Sequence, residues 1–280
     1  MRGRRGPRVP SVRSRRRSIV LWVALAGAMV PILFPYYWMI VASLKSRIEN
    51  LQSPPDLLFV PTLENYQRML ADGAIVGALG NSAIIGVGAT AVALVIGLPC
   101  AFALARLRLR AAATLVLIAR MLPGIALVLP WYIMFNGLGW IGTHQALLLS
   151  HLSVTLPIVV WLAIGFFEDL SSEVLDAAKV DGCSQSQMFL RIAIPLSRTG
   201  IVAAALFAFI YSWNTFLYSL VLGGALEVAP VATYLSIREF DPDWGGTNAV
   251  AVLTTWPIIL LSLPFSRYLV RGLTAGASKG

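Results

Sequence analysis

Six long apolar stretches, almost without charge, leave this chain few ways to fold. They run at Ser18–Leu44, Ile75–Ala105, Ala111–Phe135, Gln145–Phe167, Gly200–Leu222 and Asn248–Leu269. An α-helix needs about 20 apolar residues to cross a hydrocarbon core about 30 Å thick, so each stretch predicts a transmembrane helix. Prolines interrupt several of them: Pro31, Pro35, Pro99, Pro123, Pro130, Pro157, Pro257 and Pro264. Membrane helices tolerate this because neighbours re-satisfy the freed carbonyls. Gly77, Gly80, Gly86, Gly88 and Gly97 in the second stretch suit close helix contacts. The expected fold class is an all-α membrane protein of six transmembrane helices.

Composition excludes the main competitor, a soluble globular protein. Charged residues are 12% of the chain and hydrophobic ones 58%, against about 25% charged in soluble domains. The net charge of +9 would suggest nucleic acid, but the placement of the basic residues argues against it. Arg2, Arg4, Arg5, Arg8, Arg13, Arg15, Arg16 and Arg17 precede the first span. Arg106, Arg108 and Arg110 link spans two and three. Lys179, Arg191 and Arg198 lie between spans four and five, and Arg267, Arg271 and Lys279 close the chain. The opposite links hold Lys45, Arg47, Arg68 and Arg238. The positive-inside rule then puts both termini in the cytoplasm. No nucleic-acid partner is expected. Residues 1–17 form a basic cytoplasmic arm held against anionic lipid. A cleaved signal peptide is disfavoured, because the first apolar run is longer than a signal core and five more follow.

No chemistry-bearing cluster stands out. Cys100 lies in a span and Cys183 in a cytoplasmic segment, which gives no disulfide framework. There is no metal cluster, phosphate loop or nucleophile constellation, so no catalytic residue, metal or cofactor is assigned. His144 and His151 read as packing or lining groups.

One cytoplasmic segment differs from the rest. Glu168 to Arg198 is long, polar and helical in pattern. Ser171 and Ser172 are cap candidates with Glu173 in the first turn, and Val174, Leu175 and Ala178 recur at helical spacing. Asp181-Gly182 is a turn signal. A second short helix follows, with Met188, Phe189 and Ile192 on one face, ended by Pro195. From physics alone the pair is either an interfacial element resting on lipid or a docking knob for a soluble partner.

The run Asp176-Ala177-Ala178-Lys179-Val180-Asp181-Gly182-Cys183, followed by Ile192-Ala193-Ile194-Pro195, resembles a known signature. That signature, E-A-A, three residues, G, nine residues, I-x-L-P, marks the membrane subunits of binding-protein-dependent ABC importers. Gly182 and Ile192 keep its spacing. Asp176 stands for Glu, Cys183 for Ala and Ile194 for Leu. Asn81-Ser82, Ala103-Leu104-Ala105-Arg106, Pro123-Gly124, Ser212-Trp213-Asn214 and the tail Arg271-Gly272-Leu273-Thr274-Ala275-Gly276-Ala277 are similar to the sugar-importer branch, and the chain looks most like its maltose-type second permease. Thr215 stands where that pattern often has Glu.

The resemblance implies a type I ABC importer permease: residues 18–270 a six-helix permease domain with cytoplasmic coupling helices at 171–195, and 271–280 a cytoplasmic tail. It implies a homologous permease as heterodimer partner, a cytoplasmic ATPase dimer that uses ATP and Mg, and an extracytoplasmic solute-binding protein. The location is the plasma (inner) membrane of a prokaryote. The chain itself is expected to bind no cofactor and to be no enzyme. Glu173, Asp176, Ala177, Ala178, Asp181, Gly182, Met188, Phe189, Ile192 and Pro195 would form the ATPase-coupling segment, with the short Asp176 stem re-spacing any ion pair to the ATPase. The tail Gly276–Gly280 would reach into the ATPase dimer. Outside, Glu227, Glu239, Asp241, Asp243 and Trp244 are candidates for binding-protein contact, with Lys45–Ala74 as a second contact region.

Within the membrane an ionisable side chain is a functional candidate. Arg120 is expected to face the cavity or a partner carboxylate, or to snorkel to the cytoplasmic side. Trp131, Tyr132, Asn136, Tyr211, Trp213 and Asn214 offer aromatic faces and amides suited to sugars, and equally to interfacial belts or interhelical contacts. The expected cargo is a carbohydrate or polyol-type solute. Glycerophosphodiesters, amino acids or peptides are alternatives. A secondary transporter would need repeats and ion-coupling groups that the sequence does not show clearly.

Overall fold

The architecture is that of a computed structural model, which describes residues 12–56, 58–71, 73–237 and 243–275, without the side chains of 12–19 and 266–275. Among the described residues every regular element is a helix. In chain order they are α1 (Val12–Ser43), α2 (Arg47–Leu51), α3 (Glu64–Ala71), α4 (Ala74–Arg106), α5 (Arg110–Met121), α6 (Gly124–Gly137) and α7 (His144–Glu168). Then come α8 (Ser172–Val180), α9 (Gln185–Met188), a π-helical turn at Phe189–Ala193, α10 (Ile194–Leu196), α11 (Arg198–Trp213), α12 (Leu217–Leu222), α13 (Ala229–Leu235) and α14 (Trp244–Ala275).

Helices α1, α4, α7 and α14 are each long and apolar enough to cross a membrane alone, and two bent pairs bring the number to six. The third expected span, Ala111–Phe135, is one of those pairs. It breaks between α5 and α6 with an 85° bend. Seven of the prolines named above lie within helices that continue through them, whereas Pro123 marks the break. Leu122 takes φ −59°, ψ 127°, the extended setting preferred before proline, and Gly124 follows, so two weak helix formers are adjacent. The fifth span is likewise divided, into α11 and α12 around Asn214.

The centre of the bundle is α4, α7 and α11. Ala93 and Ala101 of α4, Val159 and Ala163 of α7 and Ala208 of α11 are all buried in one cluster. The glycine expectation for α4 divides. A Cβ on Gly86 would stand 3.0 Å from Phe209, on Gly88 2.9 Å from Leu148 and on Gly97 2.9 Å from Val159, whereas Gly77 and Gly80 face open space. On α1, Leu21, Trp22, Val30 and Phe34 are each more than half exposed. A continuous apolar face of that kind suits lipid or another membrane chain rather than water.

Candidate functional site

The short helix pair expected on the cytoplasmic side is present as α8 and α9, and its conformation follows from its caps. Glu173 lies in the first turn of α8. Ser171 occupies the cap position, although its side chain makes no capping bond. Leu175 and Ala178 face inward, while Glu173, Val174, Ala177, Val180 and Asp181 are exposed. Gly182 has φ +81°, the left-handed setting that only glycine adopts at little cost. Its N–H donates to the Lys179 carbonyl at 3.0 Å and that of Cys183 to the Ala178 carbonyl at 2.9 Å, which together form a Schellman closure. Ser184 and Gln187 then open α9 with a capping box. Met188 is 1% exposed, and the Phe189 ring lies 5.4 Å from Phe102 and 6.3 Å from Phe167. Ile192 is half-buried and Pro195 exposed. Pro195 does not end the segment outright: α10 runs to Leu196, and the chain then turns by 82° into α11. There a Cβ on Gly200 would fall 2.2 Å from the Phe166 ring, so only glycine lets α11 seat this closely on α7.

Asp176 has a partner that the sequence did not indicate. Its Oδ1 lies 2.9 Å from Nη2 of Arg106, in the last turn of α4, and 3.6 Å from Nζ of Lys179. The Arg106 hydrogen bond holds the Asp176 carboxyl below its ordinary pKa, with the charges of Arg106 and Lys179 adding to it. Helix α8 is thereby tied to a central span across seventy residues of sequence separation.

Inside the membrane the structure brings some candidates together and separates others. Arg120 sits ten residues into α5, about 15 Å along the helix at 1.5 Å per residue. Its guanidinium lies 5.2 Å from the Trp161 ring and 5.8 Å from the Tyr211 ring, with Nη2 3.5 Å from the Tyr211 hydroxyl. Of the expected surroundings, cavity, partner carboxylate or cytoplasmic snorkelling, the described residues give Arg120 two aromatic faces, which attract a cation through the ring quadrupole. Trp161 was not among the predicted residues. Trp213 lies apart: it is buried, and its indole N–H donates to the Thr254 carbonyl of α14 at 3.1 Å. Asn214 donates to Ile210 of its own helix. Trp131 stacks on Phe135 with ring centroids 5.1 Å apart, and its buried indole N–H has no partner among the described residues. Tyr132 and Asn136 are exposed on α6.

At the end of the bundle expected to lie outside, Asp243 is committed within the chain. Its Oδ1 accepts from the Gly246 N–H at 2.9 Å, capping α14, and its Oδ2 pairs with Arg68 at 2.8 Å. Trp244 is half exposed and leaves an aromatic surface there. Glu227 is half-buried, and its carbonyl accepts from Asn81. Glu239, Asp241, the arm 1–11 and the tail 276–280 lie outside the described residues.

Two histidines expected as packing or lining groups make hydrogen bonds between elements. His151, buried on α7, meets the Ser212 hydroxyl at 2.8 Å through Nδ1 and that of Ser219 at 3.2 Å through Nε2. His144 meets Asn81 at 3.1 Å. A polar side chain in the middle of an apolar run is the sequence signal for such bridges, but its partners lie on other spans.

Residues 93–275 match the family model described as the binding-protein-dependent transport system inner membrane component. The chain is 33% identical over 274 residues to the trehalose/maltose transport system permease protein MalG of Thermococcus litoralis, covering 95% of this chain and 98% of that one. It is 33% identical over 274 residues to the trehalose transport system permease protein SugB of Mycobacterium tuberculosis, covering 94% and 99%. Its fold is similar to a chain of a bacterial ABC transporter involved in the import of the acidic polysaccharide alginate, with TM-score 0.77 and 20% identity over 94% of this chain and 99% of that one.

Proposed function

The chain belongs to the inner-membrane components of binding-protein-dependent transport systems, and from that premise we propose that it is the sugar-importing permease half of an ATP-driven importer. The observation that carries the mechanism is the cytoplasmic pair α8–α9. It presents Val174, Ala177 and Val180 outward while Leu175, Ala178 and Met188 anchor it to the bundle. An exposed apolar stripe on a rigid, capped element suits the cleft of a soluble partner. That partner is a cytoplasmic ATPase dimer using ATP and Mg. Closure of the dimer pushes on α8, and the push passes to α4 through Arg106–Asp176 and to α11 through the turn after Pro195.

A carbohydrate cargo is supported by the relatives named for trehalose and maltose transport. Aromatic faces and amides at Tyr132, Asn136, Tyr211 and Asn214 suit sugar rings and hydroxyls, with Arg120 held beside the path by Trp161 and Tyr211. A homologous permease completes the pathway as a heterodimer partner, with lipid around the pair. A solute-binding protein approaches the outer face near Trp244, and both termini lie in the cytoplasm.

The test is Gly182→Asp in the assembled transporter, scored by uptake from a panel of radiolabelled disaccharides and by ATP hydrolysis with the binding protein present. The side chain cannot adopt φ +81° without strain, so uptake and stimulated hydrolysis are expected to be lost while membrane insertion persists. Normal uptake by this variant would sink the docking assignment. Transport by the chain without an ATPase would sink the ATP-driven reading.

A further inference from the structure

A cavity of about 490 Å³ lies between the α4–α5 link and the start of α8. Arg106, Arg108 and Arg110 line it, with Ser172 from α8 and Glu168 as its one carboxylate. Arg106 is held by Asp176, but Arg108 and Arg110 make no ion pair among the described residues. Set against Glu168, Arg108 and Arg110 leave the cavity lining with net positive charge. Two helices also begin at it, α5 at Arg110 and α8 at Ser172, and no side chain caps either start. Arg110 and Ser172, the first residues of these helices, both line the cavity, so the positive ends of two helix dipoles add to its potential.

The backbone at Arg108 points the same way. The end of α4 closes with the Leu109 N–H donating to the Leu104 carbonyl at 3.0 Å and the Arg108 N–H to that of Ala105 at 3.3 Å. That leaves Arg108 at φ +53°, in a position where such closures ordinarily use glycine. An arginine held there costs conformational energy, which a charged occupant of the cavity would offset. Phe102, Ala105 and Leu170 supply an apolar wall, which a free ion would leave uncovered. The link belongs to the face assigned to the cytoplasm, where anionic headgroups lie.

We propose that this cavity holds the phosphate of an anionic phospholipid, with Arg108 and Arg110 as its charge partners and the apolar wall against the glycerol end. The bound phosphate stands beside Arg106 and competes with Asp176 for it. The tie between α4 and the coupling helix is thereby sensitive to the surrounding lipid. The inference rests on the membrane orientation and not on the cargo, so a wrong solute leaves it standing.

The test is lipid retained by the intact transporter after reconstitution in mixed phosphatidylcholine and phosphatidylglycerol and repurification, measured by native mass spectrometry. The wild-type complex should retain phosphatidylglycerol selectively. Arg108→Gln with Arg110→Gln should lower that retention about 25-fold, roughly fivefold for each basic residue, while Arg191→Gln with Arg198→Gln, which removes the same charge elsewhere, should not. Arg108→Gly removes the guanidinium and gives the backbone the residue it favours, so it should fold and still lose about fivefold. Equal retention by wild type and both cavity variants would overturn the site. Displacement of the lipid by millimolar inorganic phosphate would overturn its assignment to lipid. Loss of the ATPase from the cavity variants with lipid retained would assign the arginines to a protein partner instead.

Discussion

At two places the bundle finishes its helices in different ways: an outer corner where α1, α2, α3 and α14 meet, and an inner one at α8–α9, each named for the side expected from the arginine distribution. Outside, side chains close the carbonyls at the end of α1. The Asn65 amide donates to Ser43 and Lys45 at 2.9 and 2.8 Å, and that of Asn50 to Ala42, Lys45 and Ser46 at 3.0 to 3.3 Å. Lys45 is 2% exposed, its ammonium donating to the Asp56 carbonyl between the Trp38 and Phe59 rings. Arg68 joins the same unit by bonding both Asn65 and Asp243. Inside, backbone closures and a local capping box do the work, and Arg106–Asp176 is a cross-tie whose carboxylate end is exposed to solvent. Side-chain pins lock several helices into one body. Local caps finish each helix alone and leave its outer face available to a partner. The outer corner is therefore built to hold shape, and the inner end keeps exposed faces for the ATPase proposed above.

Asn65→Ala should produce the largest effect. The Ser43 carbonyl loses its donor, that of Lys45 keeps only the Asn50 amide at 3.3 Å, and Arg68 loses an acceptor, at about 1–3 kcal/mol for the group left unsatisfied. The thermal midpoint of the purified transporter should drop clearly, while ATPase coupling per folded molecule is retained. A loss of coupling without a drop in midpoint would break the contrast between the ends. Gly182→Ala comes next, at about 1–2 kcal/mol for the left-handed setting. That strain is confined to the α8–α9 turn, so uptake should fall with little change in the midpoint. Trp213→Phe follows, losing one interhelical hydrogen bond worth about 0.5–1.5 kcal/mol. It tests whether this residue is packing. The variant should melt slightly earlier and keep its preference among sugars, whereas an altered sugar preference would return Trp213 to the translocation path.

The same contrast decides what could be read from the sequence. Spans were legible because apolar runs of bilayer length have few other fates. The turn at Gly182 was legible because left-handed backbone selects glycine. The break at Pro123 was not separable from the prolines that α1, α4 and α14 absorb, since the outcome depends on which neighbours take up the freed carbonyls. Asn50 and Asn65 left no trace, as their partners are backbone carbonyls that carry no residue-type signal. Arg106 and Asp176 are ordinary charges until the fold sets them 2.9 Å apart. Arg120 was marked as exceptional, yet its partners Trp161 and Tyr211 come from two other spans. Asp243 drew attention for its charge and proved to be a cap.

Asp176→Asn should have the smallest effect on stability, and its pH dependence sharpens the comparison most. The carboxylate is solvent-exposed, so salt and water screen the pair. Its folded pKa lies below the ordinary value because of the Arg106 hydrogen bond. A depressed acid contributes stability that is fully present above the unfolded pKa and lost as pH falls through the folded one. Wild type and Asp176→Asn should therefore differ near neutral pH and converge in acid. The readout is amide hydrogen exchange in Ser172–Val180, corrected for intrinsic rates. The variant should exchange modestly faster at neutral pH and low salt, with the gap closing as salt rises or pH drops below the carboxylate range. Protection around Asn65 should not change in the same experiment. If α8 instead lost all its protection, the inner end would be pinned as firmly as the outer one, and its fitness for being moved by a partner would have to come from another contact.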